Sequence, residues 1–561
     1  MKKSSSVLIL LLCFTLFLSL ASCGKETADE TAGPEETTAP EETHEPEKTT
    51  GTPETTSPSS YSVTFSVDGN ETTLTVGAGD TPVYSGITSW ETAEHFYKIT
   101  GWEPEIAPAN ADVTYTAVIG EYGLTLYDVK FMMPGGLVTV PTHENELPTP
   151  PEGYETDLTK LEKIGTFVRW NKELVAPTAE NMADGAVMIY TPFYTYTKRY
   201  FAVVTAAKNG AKGLLTMTYD DGNYDTAVWV NQKNKVYGLR GSCMLIAGRS
   251  SFVDAVDRWK AIFADGTLEP QCHSMSHTKD TIEGTRALYR TELVESKRKI
   301  ESALSIPGQV ICFASPYCQL RDFSYKTDES GNVVYQNGNP VTVSDGGSKK
   351  MARQNYFAVR NGPEGLNTLD PPCTEDAGGW YNVYVQWFYH NDSQTDAIRK
   401  GWIDGAVKNQ GWLIILAHGI VDSSDSVYNL TKTEAEPFFQ HASTYIQSGE
   451  LWAATFGEAT KYLREKQGTT VAARYEDGRL FVDMTINRTT EDGKFLSENV
   501  FNYPLTVEVR VPDDWHKVTY QDGENVKTAE IYTRDGMSCA MLDLTPGADG
   551  VTVTTELTDI K

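Results

Sequence analysis

The hydrophobic rhythm of the chain changes twice along its length. From Tyr61, "YSVTFSVDG" alternates apolar and polar positions, the period of a half-buried strand. A second run, "YDVKFMMPGG", starts at Tyr127, 66 residues later. Each is followed by a matching tail: "ITGWEPEIAPANADVTYTAVI" around Trp102 and Tyr115, then "FVRWNKELVAPTAENMADGAVMIYTPF" around Trp170 and Tyr190. The fixed period marks an internal repeat, with an insertion before the last strand of the second copy. Residues 61–121 and 122–198 are thus read as two β-rich modules. Trp102 and Trp170 sit beside strands and are expected to anchor the module cores, with sugar stacking as the alternative. From 199 to 466, apolar runs alternate with helical segments such as "RTELVESKRKIESAL". That alternation predicts parallel β/α construction. Beyond 467, period two returns in "RLFVDMTIN", "YPLTVEVRVP" and "GVTVTTEL", as in a terminal β-sandwich over 467–561.

Two N-terminal segments stand apart from this pattern. Residues 1–22 carry two lysines, a run of about fifteen apolar residues and then small residues, the layout of a secretory leader. The run ends in "LASC", which resembles a bacterial lipobox; the resemblance implies a lipidated Cys23 as mature N-terminus. An uncleaved membrane anchor is the alternative. Both place the protein outside the cytoplasm, on the membrane at the cell surface. Residues 23–60 are Thr, Glu and Pro with almost nothing apolar, expected to be a disordered, self-repelling tether. The net charge of −28 argues against nucleic acid as a partner. Apart from Cys13 and Cys23, the other six of the eight cysteines are scattered and without a CxxC pair, so a zinc ribbon is not expected. Export permits disulfides, but spacing alone does not pair them.

Chemistry gathers in the middle domain. Three apolar runs end in capable residues: "GLLTMTYDDG" at Asp220 and Asp221, "GQVICFASPY" at Tyr317, and "GWLIILAHGI" at His418. In parallel β/α folds, sites form where strands end. Asp220 and Asp221 are read either as an Asp-Gly turn or as a cation site, because adjacent carboxylates disfavour mutual ionisation. "CHSMSHT" places His273 and His277 four apart, on one face of a helix or helical turn. They are surface histidines or ligands of a divalent ion, zinc before others, with Asp221 as the third ligand and Asp220 free to act on water.

"TYDDG", "HSMSH", "FASPY" and "LAH" occur in the order found in polysaccharide deacetylases, the NodB-type or family 4 carbohydrate esterases. The resemblance spans roughly residues 210 to 465. It implies a distorted (β/α) barrel and a divalent metal held by Asp221, His273 and His277. Asp220 would be the general base, His418 the general acid, and the backbone N–H of Tyr317 an oxyanion donor. Many members carry an arginine where this chain has Ala314; Arg360 in "YFAVRNG" is the candidate to stand beside Asp220. The family's fourth, tryptophan-containing motif has three candidates, Trp380, Trp387 and Trp402. Glu458 in "LWAATFGEATKYL" is read as structural. The first β-rich module resembles the Listeria-Bacteroides type of surface repeat. The expected function is metal-dependent removal of N-acetyl or O-acetyl groups from a surface polysaccharide. The alternative is a non-catalytic glycan-binding adhesin on a degenerate barrel.

Overall fold

A computed structural model describes residues 59–555 except 161–162, 280–282, 391–392, 424–425 and 549. The leader, Cys23 and nearly all of the tether lie outside the described residues. The chain divides into two compact units, one ending at Glu121 and the other beginning at Tyr122.

Seven parallel strands of the second unit close on themselves. They are β1 (Gly213–Tyr219), β2 (Gly241–Leu245), β3 (Leu268–Cys272), β4 (Cys312–Ala314), β5 (Ala358–Glu364), β6 (Val383–Trp387) and β7 (Gly411–Ala417). Each pairs with the next, and β7 returns to β1 with Leu214 opposite Trp412 and Tyr219 opposite Ala417. The expected barrel is therefore present. β1 and β7 are buried along their whole length, which is why both read as unbroken apolar runs: a parallel strand covered on both faces has no polar side. Polar side chains also join the two, the Trp412 indole donating to Thr216 Oγ1 at 3.0 Å and Thr218 Oγ1 to Ile415 O at 2.6 Å. Flanking helices start on sequence-encoded caps. Thr431 with Glu434 and Thr455 with Glu458 form capping boxes for Lys432–Gln447 and Phe456–Gln467. Glu458 also pairs with Arg240, in keeping with a structural role.

The two β-rich segments each pack a cluster of three aromatic rings. In the first, Phe65 meets Trp102 edge-on at 4.8 Å and stacks on Tyr115 at 5.5 Å. In the second, Phe131 meets Trp170 at 5.2 Å and Tyr190 at 5.3 Å. Phe65 lies opposite Tyr115, and Phe131 opposite Tyr190, across parallel strand pairs. Each tyrosine hydroxyl contacts one loop residue, accepting from its N–H and donating to its carbonyl: Ala107 in one copy, Val175 in the other. Both tryptophans pack in these cores.

After the barrel come two antiparallel sheets of four and five strands. The four-stranded sheet contains a strand from before the barrel. Ala202–Val204 pairs with Leu505–Arg510, placing Ala202 opposite Val509. A boundary at 199 thus assigns to the barrel a strand that hydrogen bonds to the C-terminal sheet. The six described cysteines are all free. Among the described residues no helix is long and apolar enough to cross a membrane.

Candidate functional site

Every barrel strand runs the same way, so the residues just beyond their C-terminal ends collect at one mouth. Asp220 comes directly after β1 and is tied to β7 by its N–H, which donates to Ala417 O at 2.8 Å. Its carboxylate is buried and paired with the Arg360 guanidinium. Arg360 stands on β5 opposite Ala314 on β4. The small alanine is thus matched by an arginine directly across the ladder, and that arginine reaches Asp220.

Asp221 faces a different environment. Its backbone is left-handed, φ 71°. Asp221 Oδ1 lies 3.9 Å from His273 Nε2 and 3.7 Å from His277 Nε2. The three donor atoms fall within 4.8 Å of one another. Arg249 stands 3.7 Å from the same oxygen. That oxygen is buried and has no hydrogen-bond partner among the described residues, which is the state expected of a carboxylate shaped to meet a cation.

The two histidines are held differently. His273 comes directly after β3, donates its N–H to Leu245 O at 2.8 Å, and donates from Nδ1 to Ala314 O at 2.8 Å. The second bond fixes the tautomer and leaves the lone pair on Nε2, which lies 3.8 Å from Asp220 Oδ2 and 3.9 Å from Asp221 Oδ1. Burial pulls the His273 pKa down to about 4 against the attraction of Asp220. A neutral imidazole is what metal ligation needs. His277 does not share a helix face with it. The segment is an irregular loop with Ser274 and His277 left-handed, φ 71° and 54°, a conformation no α-helix contains. Glu292 supports this loop from below. Its carboxylate accepts from the N–H groups of Met275 and Ser276, both at 3.0 Å, and from Ser276 Oγ at 2.6 Å.

Burial alone would raise the Asp220 pKa. Arg360, then His273 and His418, outweigh it and hold the carboxyl at about 2. Asp220 is therefore ionised at any working pH. Tyr317 lies in a tight turn beyond β4 with φ 55°; its ring packs 4.8 Å from His277 and its hydroxyl donates to His277 O at 3.3 Å. His418 comes directly after β7, and its Nδ1 is buried without a hydrogen-bond partner among the described residues. Left-handed non-glycine residues cost about 1–3 kcal/mol each and cluster at functional sites. Here Asp221, Ser274, His277, Tyr317 and Cys318 all adopt that conformation.

These residues line a pocket of about 640 Å³, within the usual range for a small-ligand site. All the sequence-predicted site residues except Arg360 line it, and Arg360 reaches it through Asp220. Of the three candidate tryptophans only Trp387 lines it. Trp380 is buried in the core and Trp402 packs against it. The sequence pattern does not single out Tyr389, Tyr428, Asn429 or Cys318, which also line the pocket, nor Glu292 beneath it. Burial pushes the Cys318 thiol up to about 11, so it is uncharged.

No family model matches the chain. A gellan lyase from Bacillus sp is 24% identical over 360 residues, 61% of this chain and 13% of the lyase. The chain thus spans about an eighth of that relative's length. Among solved structures, the Xyl-CE4 domain of a multidomain xylanase from the hindgut metagenome of Trinervitermes trinervoides aligns at 16% identity. The alignment covers 46% of this chain and 92% of that domain, with a TM-score of 0.26. A peptidoglycan deacetylase from Bacillus subtilis aligns at 15% identity, covering 46% and 94%, TM-score 0.26. A CE4 family pseudoenzyme from Bacillus anthracis aligns at 12%, covering 44% and 65%, TM-score 0.25.

Proposed function

We propose that the barrel is a divalent-metal-dependent hydrolase that removes acetyl groups, N-linked first and O-linked by the same chemistry, from a polysaccharide outside the cytoplasm. The four ordered motifs support this reading, and one observation carries it: the paired aspartates are separated by environment. Asp221 Oδ1 stands unpartnered by hydrogen bonds among the described residues, between two imidazole nitrogens, while Asp220 pairs through Oδ1 with Arg360 and keeps Oδ2 3.8 Å from His273 Nε2. Asp221, His273 and His277 would hold the ion, and two imidazoles with a carboxylate suit zinc. When bound, such an ion supplies Lewis acidity.

The chain's own groups do the rest. Asp220 accepts a proton from the attacking water. The Tyr317 N–H donates to the acyl oxygen as negative charge grows on it. His418 donates a proton to the leaving amine or alcohol. Trp387 and Tyr389 present apolar surface to the substrate. The leader and the cysteine of "LASC" support a lipid-anchored location at the cell surface.

The test is metal content and acetate release on the purified protein, with chitooligosaccharides and peptidoglycan fragments as substrates. Asp220→Ala should lose acetate release and keep the metal; His273→Ala should lose both. Release that persists in Asp220→Ala removes the assigned base. Bound metal without turnover on a broad acetylated panel points to a glycan-binding protein instead.

A further inference from the structure

We propose that Tyr428 is a sugar-stacking platform through which the site selects a glycan chain over an isolated acetylated unit. This deepens the reading of the pocket as a glycan site and rests on it. Around the barrel mouth, β4 and β7 are three strands apart and so lie on opposite sides. An exposed tyrosine stands on each side. Tyr317, beyond β4, is 52% exposed and packs on His277. Tyr428, beyond β7, is 57% exposed and packs on His418 with ring centroids 5.8 Å apart. A sugar presented to the centre would have its chain neighbours over these rims.

Tyr428 belongs to none of the four motifs, yet it lines the pocket. It makes a T-shaped contact with Tyr389 at 6.0 Å, and Tyr389 in turn packs on Trp387 at 5.1 Å, so one wall of the pocket is continuously aromatic. Its described neighbours bond back beside His418. The Gly419 N–H donates to Asn429 Oδ1 at 3.0 Å, and the Leu430 N–H donates to Gly419 O at 2.9 Å. Ile420 and Val421 then pair in register with Leu430 and Thr431. A Cβ on residue 419 would lie 2.5 Å from Asn429 Oδ1, so a side chain there would push Asn429 off this bond. The residue after the proposed acid is thereby committed to holding the tyrosine loop.

A rigid tyrosine offers a large amphipathic face at low entropy cost, and a held side chain binds more tightly than one ordered on contact. The apolar C–H face of a pyranose is the complementary surface, and Tyr428 is 57% exposed.

The experiment compares wild type, Tyr428→Ala and Tyr428→Trp. Calorimetry measures binding of chitopentaose, acetylxylan and peptidoglycan strands; kinetics are followed on the tightest binder and on 4-nitrophenyl acetate. For Tyr428→Ala the expected result is affinity for the glycan about tenfold weaker. Its loss of kcat/KM should also be at least about tenfold larger on the glycan than on the small ester, and appear in KM. Tyr428→Trp should hold wild-type affinity within about threefold. Equal losses on both substrates, unchanged glycan binding in Tyr428→Ala, or no binding of any of the three glycans by wild type overturns the proposal. Glycan binding that depends on Tyr428 in a protein that turns over neither substrate keeps the platform and removes the hydrolase reading.

Discussion

Two neighbouring aspartates carry the same charge and meet opposite fates. The buried carboxylate of Asp220 is stabilised by Arg360, so removing that partner leaves an uncompensated charge, a loss of about 3–5 kcal/mol where the site cannot relax. Arg360→Met is expected to lower the melting temperature and to cut kcat about a hundredfold, with metal content retained because Asp221 and both histidines are untouched. Thermal melts, metal analysis and kcat on one acetylated oligosaccharide check this, and a metal-free variant would count against it. Glu292 acts at one remove. It gathers two N–H groups of the loop that presents His277. Glu292→Ala should weaken metal binding about tenfold, the cost typical of groups that orient ligands, as read by competition with a chromophoric chelator. The site residues themselves are legible in the sequence because motif order and strand ends point to them. Glu292 is not: in "RTELVESKRKIESAL" it looks like one more charge on a solvated face, and only the folded chain shows it buried.

Among the elements, strands are more legible than the loops at their ends. The continuous apolar runs at β1 and β7 and the alternation in both modules predict the observed strands, because burial on two faces or one leaves that pattern directly. The histidine spacing misleads, since four residues apart also fits a loop with two left-handed turns, and such turns have no periodic signature outside glycine. β5 shows the same limit. Its register shifts between Arg360 and Glu364, and Gly362 within the shift has φ 95°. An added Cβ there would lie 2.5 Å from the Cys318 side chain and 3.2 Å from Trp387. Gly362→Ala should therefore destabilise the protein by about 1–3 kcal/mol in a denaturant melt. It should also distort the pocket wall enough to lower activity in the surviving folded fraction. Wild-type activity per folded molecule would show that this strand tolerates the change.

At the scale of the whole molecule, the helix Phe456–Gln467 joins the barrel to the C-terminal sheets. Arg464 is fully buried; it pairs with Asp492, donates to Phe357 O at 2.7 Å and lies over the Trp380 ring at 4.3 Å. Its neighbour Glu465 accepts from the Tyr503 N–H at 3.2 Å. Burial pushes the Glu465 pKa from 4.5 to about 8. The folded state thus holds a proton that the unfolded chain releases. The corresponding stability is fully present below about pH 4.5, falls as the pH rises toward 8, and is lost above that. Glu465→Gln should flatten this slope and raise the melting temperature at pH 8 more than at pH 5, by scanning calorimetry at both. An unchanged slope would show that Glu465 does not set it. None of this coupling can be read from local pattern, because it joins positions far apart along the chain, as does the pairing of Ala202 with Val509.

That last pairing bears on how the molecule is made. A polypeptide emerging from the ribosome or a translocation pore N-terminus first presents Ala202–Val204 long before Leu505–Arg510 exists. This ribbon edge must wait, unpaired, while the entire barrel is synthesised. The clasp around the barrel is then a late event, and a chain released early, short of Leu505, leaves that edge open to the wrong partner.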